Sequence, residues 1–194
     1  MDNLLKNKIH EEQCFQNINL EEKELSHFEF YNCDFVNCNF NYVDFSASTF
    51  DDCTFVNCSF IVNKVTNCSM RNVVFSESKI QGINFEDLNR FALDLEFIKS
   101  QLILCTFIKM QLANSNFSES QLCECDFINN DLSHANFIGC ALPKTVFQGN
   151  NMLGANFTNA QNYEIDPLKN ILKDASFSGL EAMSLLKYLG IKIN

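Results

Sequence analysis

Tryptophan is absent from this chain, proline occurs twice and glycine six times. So little proline and glycine excludes long disordered linkers. No run of eighteen apolar residues exists, which excludes a membrane-spanning helix. The first residues, MDNLLKNKIHEEQ, lack an apolar core of signal-peptide length. No CxxC pair, Gly-rich phosphate loop or serine elbow occurs. The three histidines, His10, His27 and His134, lie far apart. Most carboxylates are expected on solvated rungs and not paired for acid–base work. These absences predict a non-enzymatic protein with no catalytic residues, no metal site and no cofactor.

What is abundant is phenylalanine, twenty residues of it. From Phe30 to Phe60 it falls at every fifth position: Phe30, Phe35, Phe40, Phe45, Phe50, Phe55 and Phe60. Two residues before these stand Phe28, Cys33, Cys38, Val43, Ser48, Cys53 and Cys58, mostly small. Five is neither the helical period of about 3.6 nor the strand period of about 2. A fixed short period marks a solenoid. If each five residues form one side of a square coil, the large residue and the small one before it point inward. Four sides close a coil in twenty residues. The sequence returns at that interval: Val36-Asn37-Cys38-Asn39-Phe40 becomes Val56-Asn57-Cys58-Ser59-Phe60. Each coil should rise by one strand spacing, ~4.8 Å. No single coil can bury its rings alone, so stability comes from neighbouring coils. The expected fold is an all-β solenoid with four sides.

In chain order, residues 1–13 read as a polar tail or cap, and 14–28 as an imperfect first coil. The repeat unit is 14–160. Its lattice runs to Phe85, breaks at 86–96 (EDLNRFALDLE), and resumes at Phe97 with its phase moved by two. Phe75-Ser76-Glu77-Ser78 and Phe117-Ser118-Glu119-Ser120 echo each other at two coils plus two residues. The break therefore reads as a two-residue insertion at a bulged corner. Past it, Phe alternates with Leu or Met, which places Phe on one opposite pair of sides. Residues 161–194 leave the pattern. Asp166-Pro167 signals a turn. Ser178-Gly179-Leu180-Glu181 fits a capping box opening a short α-helix whose apolar stripe is Leu180, Met183, Leu186 and Leu189. Gly190 stops it, and Ile191-Lys192-Ile193 reads as a short strand. This segment is expected to cap the last coil and to dimerise two chains, through that stripe with Ile191 and Ile193.

Cys33, Cys38, Cys53, Cys58, Cys68, Cys105, Cys125 and Cys140 all occupy the small inward position. They read as buried free thiols acting as small hydrophobes. Cys14 and Cys123 lie off that position. Many unpaired thiols imply a reducing, cytoplasmic compartment.

The charge is uneven. Residues 11–62 hold ten acids against Lys23 alone, while 63–194 hold thirteen acids and eleven bases. On a solenoid, 11–62 span ~12 Å, or one net charge per ~1.4 Å. Duplex DNA carries one per ~1.7 Å. Such a surface repels nucleic acid and attracts proteins that bind it. The candidate partner-binding residues are Glu21, Glu22, Glu24, Glu29, Asp34, Asp44, Asp51 and Asp52. The alternative is a general protein-interaction scaffold.

The units Cys33-Asp34-Phe35, Ala135-Asn136-Phe137 and Ala155-Asn156-Phe157 resemble the pentapeptide-repeat family. The match covers about 28–160. The resemblance implies a right-handed quadrilateral β-helix. The end of the chain, from Asn162-Tyr163-Glu164-Ile165-Asp166-Pro167 through a helix to Leu189-Gly190-Ile191, is similar to Qnr-type and microcin-immunity-type members. In those, the resemblance implies a dimer whose acidic rod mimics DNA. It would bind DNA gyrase or topoisomerase IV and protect the enzyme from quinolones or peptide toxins. Qnr-type members carry longer projecting loops, whereas here only 86–96 interrupts the lattice.

Overall fold

A computed structural model describes residues 7–190. The chain winds into a parallel β-solenoid of about eight turns. Its short strands stack with partners twenty residues on. On the first face, Ile9–Glu11, Glu29–Tyr31, Thr49–Asp51 and Ser69–Arg71 form one sheet. On the second, Cys14–Gln16, Asp34–Val36, Thr54–Val56, Val73–Ser76 and Leu95–Ile98 form another. Ser59–Ile61, Lys79–Gln81, Gln101–Ile103 and Gln121–Cys123 make the third. Thr106–Ile108, Asp126–Ile128, Val146–Gln148 and Glu164–Ile165 make the fourth. Isolated bridges such as Asn19 to Asn39 and Glu24 to Asp44 extend the third and fourth ladders toward the N-terminus.

The core is the column of inward residues that the five-residue period predicts. Phe30, Phe35, Phe40, Phe45, Phe50 and Phe55 are all fully buried. Like faces stack: Phe35 lies 4.8 Å from Phe55 with planes 10° apart. Adjacent faces meet edge-on, as Phe55 and Phe60 do at 5.1 Å and 87°. Both geometries satisfy the ring quadrupole. Beyond the break, stacked Phe rings occupy the second face (Phe97, Phe117, Phe137, Phe157) and the opposite fourth (Phe107, Phe127, Phe147). Leu and Met fill the other pair.

Square corners require a residue in the left-handed region. Among the described residues twenty-seven non-glycine residues have positive φ, ten of them Asn, the residue type that tolerates it best after glycine. Most corner N–H groups donate to the next coil, as Asn37 N does to Val56 O at 2.9 Å.

The break is a two-residue insertion, now located. Ser69 bridges Asn89, twenty on, whereas Val73 pairs with Leu95 and Lys79 with Gln101, twenty-two on. Asn89 N donates to Cys68 O and Asp94 N to Met70 O, so residues 90–93 make the detour. The core does not notice: Phe75 and Phe97 stack at 5.2 Å and 8° across it.

Two boundaries differ from the sequence reading. The segment read as a tail or cap already contains a strand, and His10 is buried in a lattice position, stacked 5.2 Å from Phe30. A flat imidazole substitutes there for a phenyl ring. At the other end the coil continues past 160 to Phe177, which stacks on Phe157 at 5.1 Å. Phe147 pairs with Ile165 eighteen residues on, and Asn151 bridges Ile171 twenty on, so two residues are dropped and regained around Asp166-Pro167.

The expected α-helix is a 3-10 helix, Glu181–Leu189, ending on Gly190 at φ 67°. The capping box does not form, because Ser178 Oγ accepts instead from Asn159 N at 2.8 Å. With three residues per turn, Leu180, Met183, Leu186 and Leu189 fall in one straight row. Ile191 and Ile193 lie outside the described residues.

Candidate functional site

The structure disperses the predicted acidic residues around the rod. Glu29 and Asp51 flank the first face and Asp34 the second. Glu21 lies beside the third, while Glu24 and Asp44 bridge on the fourth. Glu22 and Asp52 turn corners at φ 57° and 53°. The N-terminal coils therefore carry negative charge on every side, with no single acidic face.

Two of the eight are neutralised by bases one coil further on. Asp44 meets Lys64 at 2.9 Å. Burial acts to raise the Asp44 pKa, but hydrogen bonds from Ser46 and Lys64 hold it below the usual carboxylate range. Asp51, expected on the surface, is buried, and the Arg71 guanidinium grips both its oxygens. A carboxylate covered in this way needs such a partner to offset its desolvation. Glu29 accepts from Tyr31 Oη at 2.8 Å, and Asp52 from Asn72 Nδ2 at 2.6 Å. These contacts leave both charges in place.

The bulge at 90–93 overhangs the first face. Phe91, 83% exposed, and Ala92 line a cleft of about 190 Å³ with Tyr31, Asp51 and Arg71. Arg90 ties the bulge down, donating from Nη1 to Lys109 O at 3.0 Å and pairing with Glu86 at 3.6 Å.

At the C-terminal end, Leu180 is 88%, Met183 41% and Leu189 48% exposed. The helix touches the core through Leu185 instead. The apolar row thus faces away from the coil that it was expected to cap. All ten cysteines are free, with Cys14 exposed and Cys123 half-buried. Among the described residues no group of three or more His, Cys, Asp or Glu is placed to hold a metal, and no helix is long and apolar enough to cross a membrane. His10 is internal, whereas His27 and His134 sit on different corners.

Sequence reasoning missed one exposed feature. Tyr42, Val62 and Leu104, all in the left-handed region, line a single corner between the third and fourth faces. Reading every fifth position from Glu22, and not only the inward ones, is the signal that finds them.

A model described as a pentapeptide repeat region matches residues 10–85, and one described as pentapeptide repeats (8 copies) matches 105–142 and 131–161. Together they cover more than half of the chain. Among solved structures, the chain resembles a trypsin-treated variant of QnrB1, a plasmid-mediated fluoroquinolone resistance protein. They share 17% identity over 96% of this chain and 99% of that chain, with a TM-score of 0.72. A second trypsin-treated QnrB1 variant gives 19% identity, 96% and 91% coverage, and a TM-score of 0.56. HetL, a pentapeptide repeat protein from the cyanobacterium Nostoc involved in heterocyst differentiation regulation, gives 16% identity, 87% and 87% coverage, and a TM-score of 0.39. At these identities the likeness is one of fold. No curated protein matches.

Proposed function

The chain belongs to the pentapeptide-repeat family, and from that membership we propose that it is a non-enzymatic acidic rod that binds a nucleic-acid-binding protein by mimicking DNA. The partner we infer is a type II topoisomerase, DNA gyrase or topoisomerase IV. The observation that carries this reading is the charge on the N-terminal coils. Residues 11–62 hold ten acids and one base. Lys64 and Arg71 neutralise two of the acids from outside that stretch. What remains is one charge per ~1.8 Å of coil, against ~1.7 Å for duplex DNA. Because the acids ring the rod, a basic channel shaped for a duplex meets carboxylates on every side that it touches. A flat acidic face would serve a groove less well.

In the same reading the rod dimerises through the row of Leu180, Met183, Leu186 and Leu189, of which Leu186 is half-buried and the others exposed, and works in the cytoplasm, where its free thiols stay reduced.

The test is supercoiling by purified gyrase, and quinolone-stabilised DNA cleavage, with the full chain added. Inhibition of supercoiling or reduced cleavage at micromolar protein is expected. No effect at tens of micromolar counts against the reading. The charge-reversal variant should carry Glu21→Lys, Glu22→Lys, Glu24→Lys, Asp34→Lys and Asp52→Lys, and is expected to be inert. Asp51 is left out because its reversal would place two cations together in a buried site.

A further inference from the structure

The corner between the third and fourth faces runs Glu22, Tyr42, Val62, Gly82, Leu104, Glu124 and Lys144. From Glu22 to Glu124 each one's backbone N–H donates to the next coil. All seven sit in the left-handed region. Elsewhere that conformation is taken by Asn, Gly, charged residues, His or Ala. Every bulky apolar residue in it is on this corner: Tyr42 at φ 60°, Val62 at 51° and Leu104 at 54°. For a β-branched or large side chain that backbone is strained. These residues gain no burial in return, being 50%, 57% and 53% exposed.

Gly82 completes the ridge. A Cβ there would meet Val62 Cγ2 at 3.3 Å, so the valine leans over the glycine and closes the gap to Leu104. Ile61 and Ile103, half-buried on the adjoining third face, widen the strip. The ridge spans three coil steps, ~14 Å. Its surround is charged, with more acid than base. Glu21, Glu22 and Glu24 lie at one end, the Asp44–Lys64 pair along the flank, and the Glu124–Lys144 pair at 2.7 Å at the other end. An apolar centre inside a charged rim is the anatomy of a protein interface. Backbone strain held at exposed positions with no structural return points the same way.

We propose that this ridge is the anchor by which the rod seats in its partner. A corner is convex, so the occupant is a protein with an apolar groove, and the acidic rim selects one whose groove is bordered by Lys and Arg. This rests on the reading of the acidic coils given above and adds to it. The carboxylates steer the partner and set orientation, while the ridge holds it once docked, since charge complementarity governs approach more than residence.

The experiment measures binding of immobilised DNA gyrase to the full-length wild type, to Tyr42→Asn/Val62→Asn/Leu104→Asn, to the five-fold charge reversal, and to Ala47→Asn as a control on another corner. Each is measured at several salt concentrations and accompanied by a melting curve and sedimentation. The ridge variant is expected to bind at least tenfold more weakly while keeping the wild-type salt dependence. It should melt at the same temperature or higher, because Asn tolerates the corner conformation. The charge variant should lose the salt dependence, and Ala47→Asn should behave as wild type. If the wild type binds and the ridge variant binds equally well, the ridge proposal falls and the acidic-coil reading stands. If the wild type does not bind gyrase, both fall. If the ridge variant alters the chain's own mass in sedimentation, the ridge joins copies of this chain and the proposal is overturned.

Discussion

At the scale of single residues, the inward ring is the unit of stability. Phe55 is fully buried, stacks on Phe35 at 4.8 Å and Phe75 at 5.1 Å, and meets Phe60 edge-on. Parallel strands above and below hold the coil spacing, so the cavity left by Phe55→Ala cannot collapse. The loss is expected to be about 3–5 kcal/mol in denaturant unfolding; below about 1 kcal/mol, the packing account is wrong. The thiols act at the same scale. Burial pushes the Cys53, Cys68 and Cys140 thiols up to about 12. In the unfolded chain they ionise from about pH 8.5. A folded pKa raised in this way gives stability that is fully present below about pH 8.5 and is lost as pH climbs toward 12. The urea midpoint should therefore fall steadily between pH 8 and pH 10. Replacing the three by Ala, the residue that Ala135 and Ala155 already place in equivalent positions, should flatten that fall. An unchanged slope would show that these thiols do not govern it.

At the scale of the coil, the two extra residues at 90–93 are an ornament on an intact core. Phe75 and Phe97 stack across them at 5.2 Å, inside the 4.6 to 5.4 Å range of the other phenylalanines stacked one coil apart, and the 83% exposed Phe91 holds nothing in place. Deleting Phe91 and Ala92 restores the twenty-residue step. It is expected to shift the melting temperature by no more than a few degrees, since shortening a surface loop changes closure entropy little. A cooperative loss of structure would mean that the bulge sets the register. The same scale shows what the sequence made legible. A five-residue period names the inward phenylalanines, because the inward position of each side favours a large apolar residue. It located the insertion, because a phase shift of two cannot be hidden in such a lattice. It did not reveal His10 as a core residue, since a polar name conceals a ring of suitable shape. Nor did it follow the coil to Phe177, where dropped and regained residues around Asp166-Pro167 scramble the phase. Asp51 looked exposed because its partner, Arg71, stands a full coil away. The corner ridge was missed because only the inward positions of the lattice were read, and Tyr42, Val62 and Leu104 recur at corner positions instead.

At the scale of the whole molecule, the rod is polarised. Carboxylates crowd the N-terminal coils, and an uncovered apolar row sits at the far end. That row has a consequence for mass. Leu180, Met183 and Leu189 are exposed in a single chain, while Leu185 alone on the helix packs on the core. Three apolar side chains in one straight 3-10 row present a flat, self-complementary strip of the kind that a two-fold axis can pair. Sedimentation equilibrium should then give twice the 22.2 kDa chain mass. Leu180→Glu with Leu189→Glu should return it to a single chain with unchanged circular dichroism, because neither side chain supports the fold. A wild type that sediments as one chain at tens of micromolar rules out the pairing. If the pairing holds, two coils of ~38 Å each join end to end. The acidic ends then lie ~75 Å apart, facing away from each other. Each dimer could engage two basic channels at once, but it could not close both ends on one short groove. Truncating the chain after Phe177 should accordingly abolish any bivalent gain in apparent affinity for an immobilised partner, while leaving the affinity of a single end unchanged.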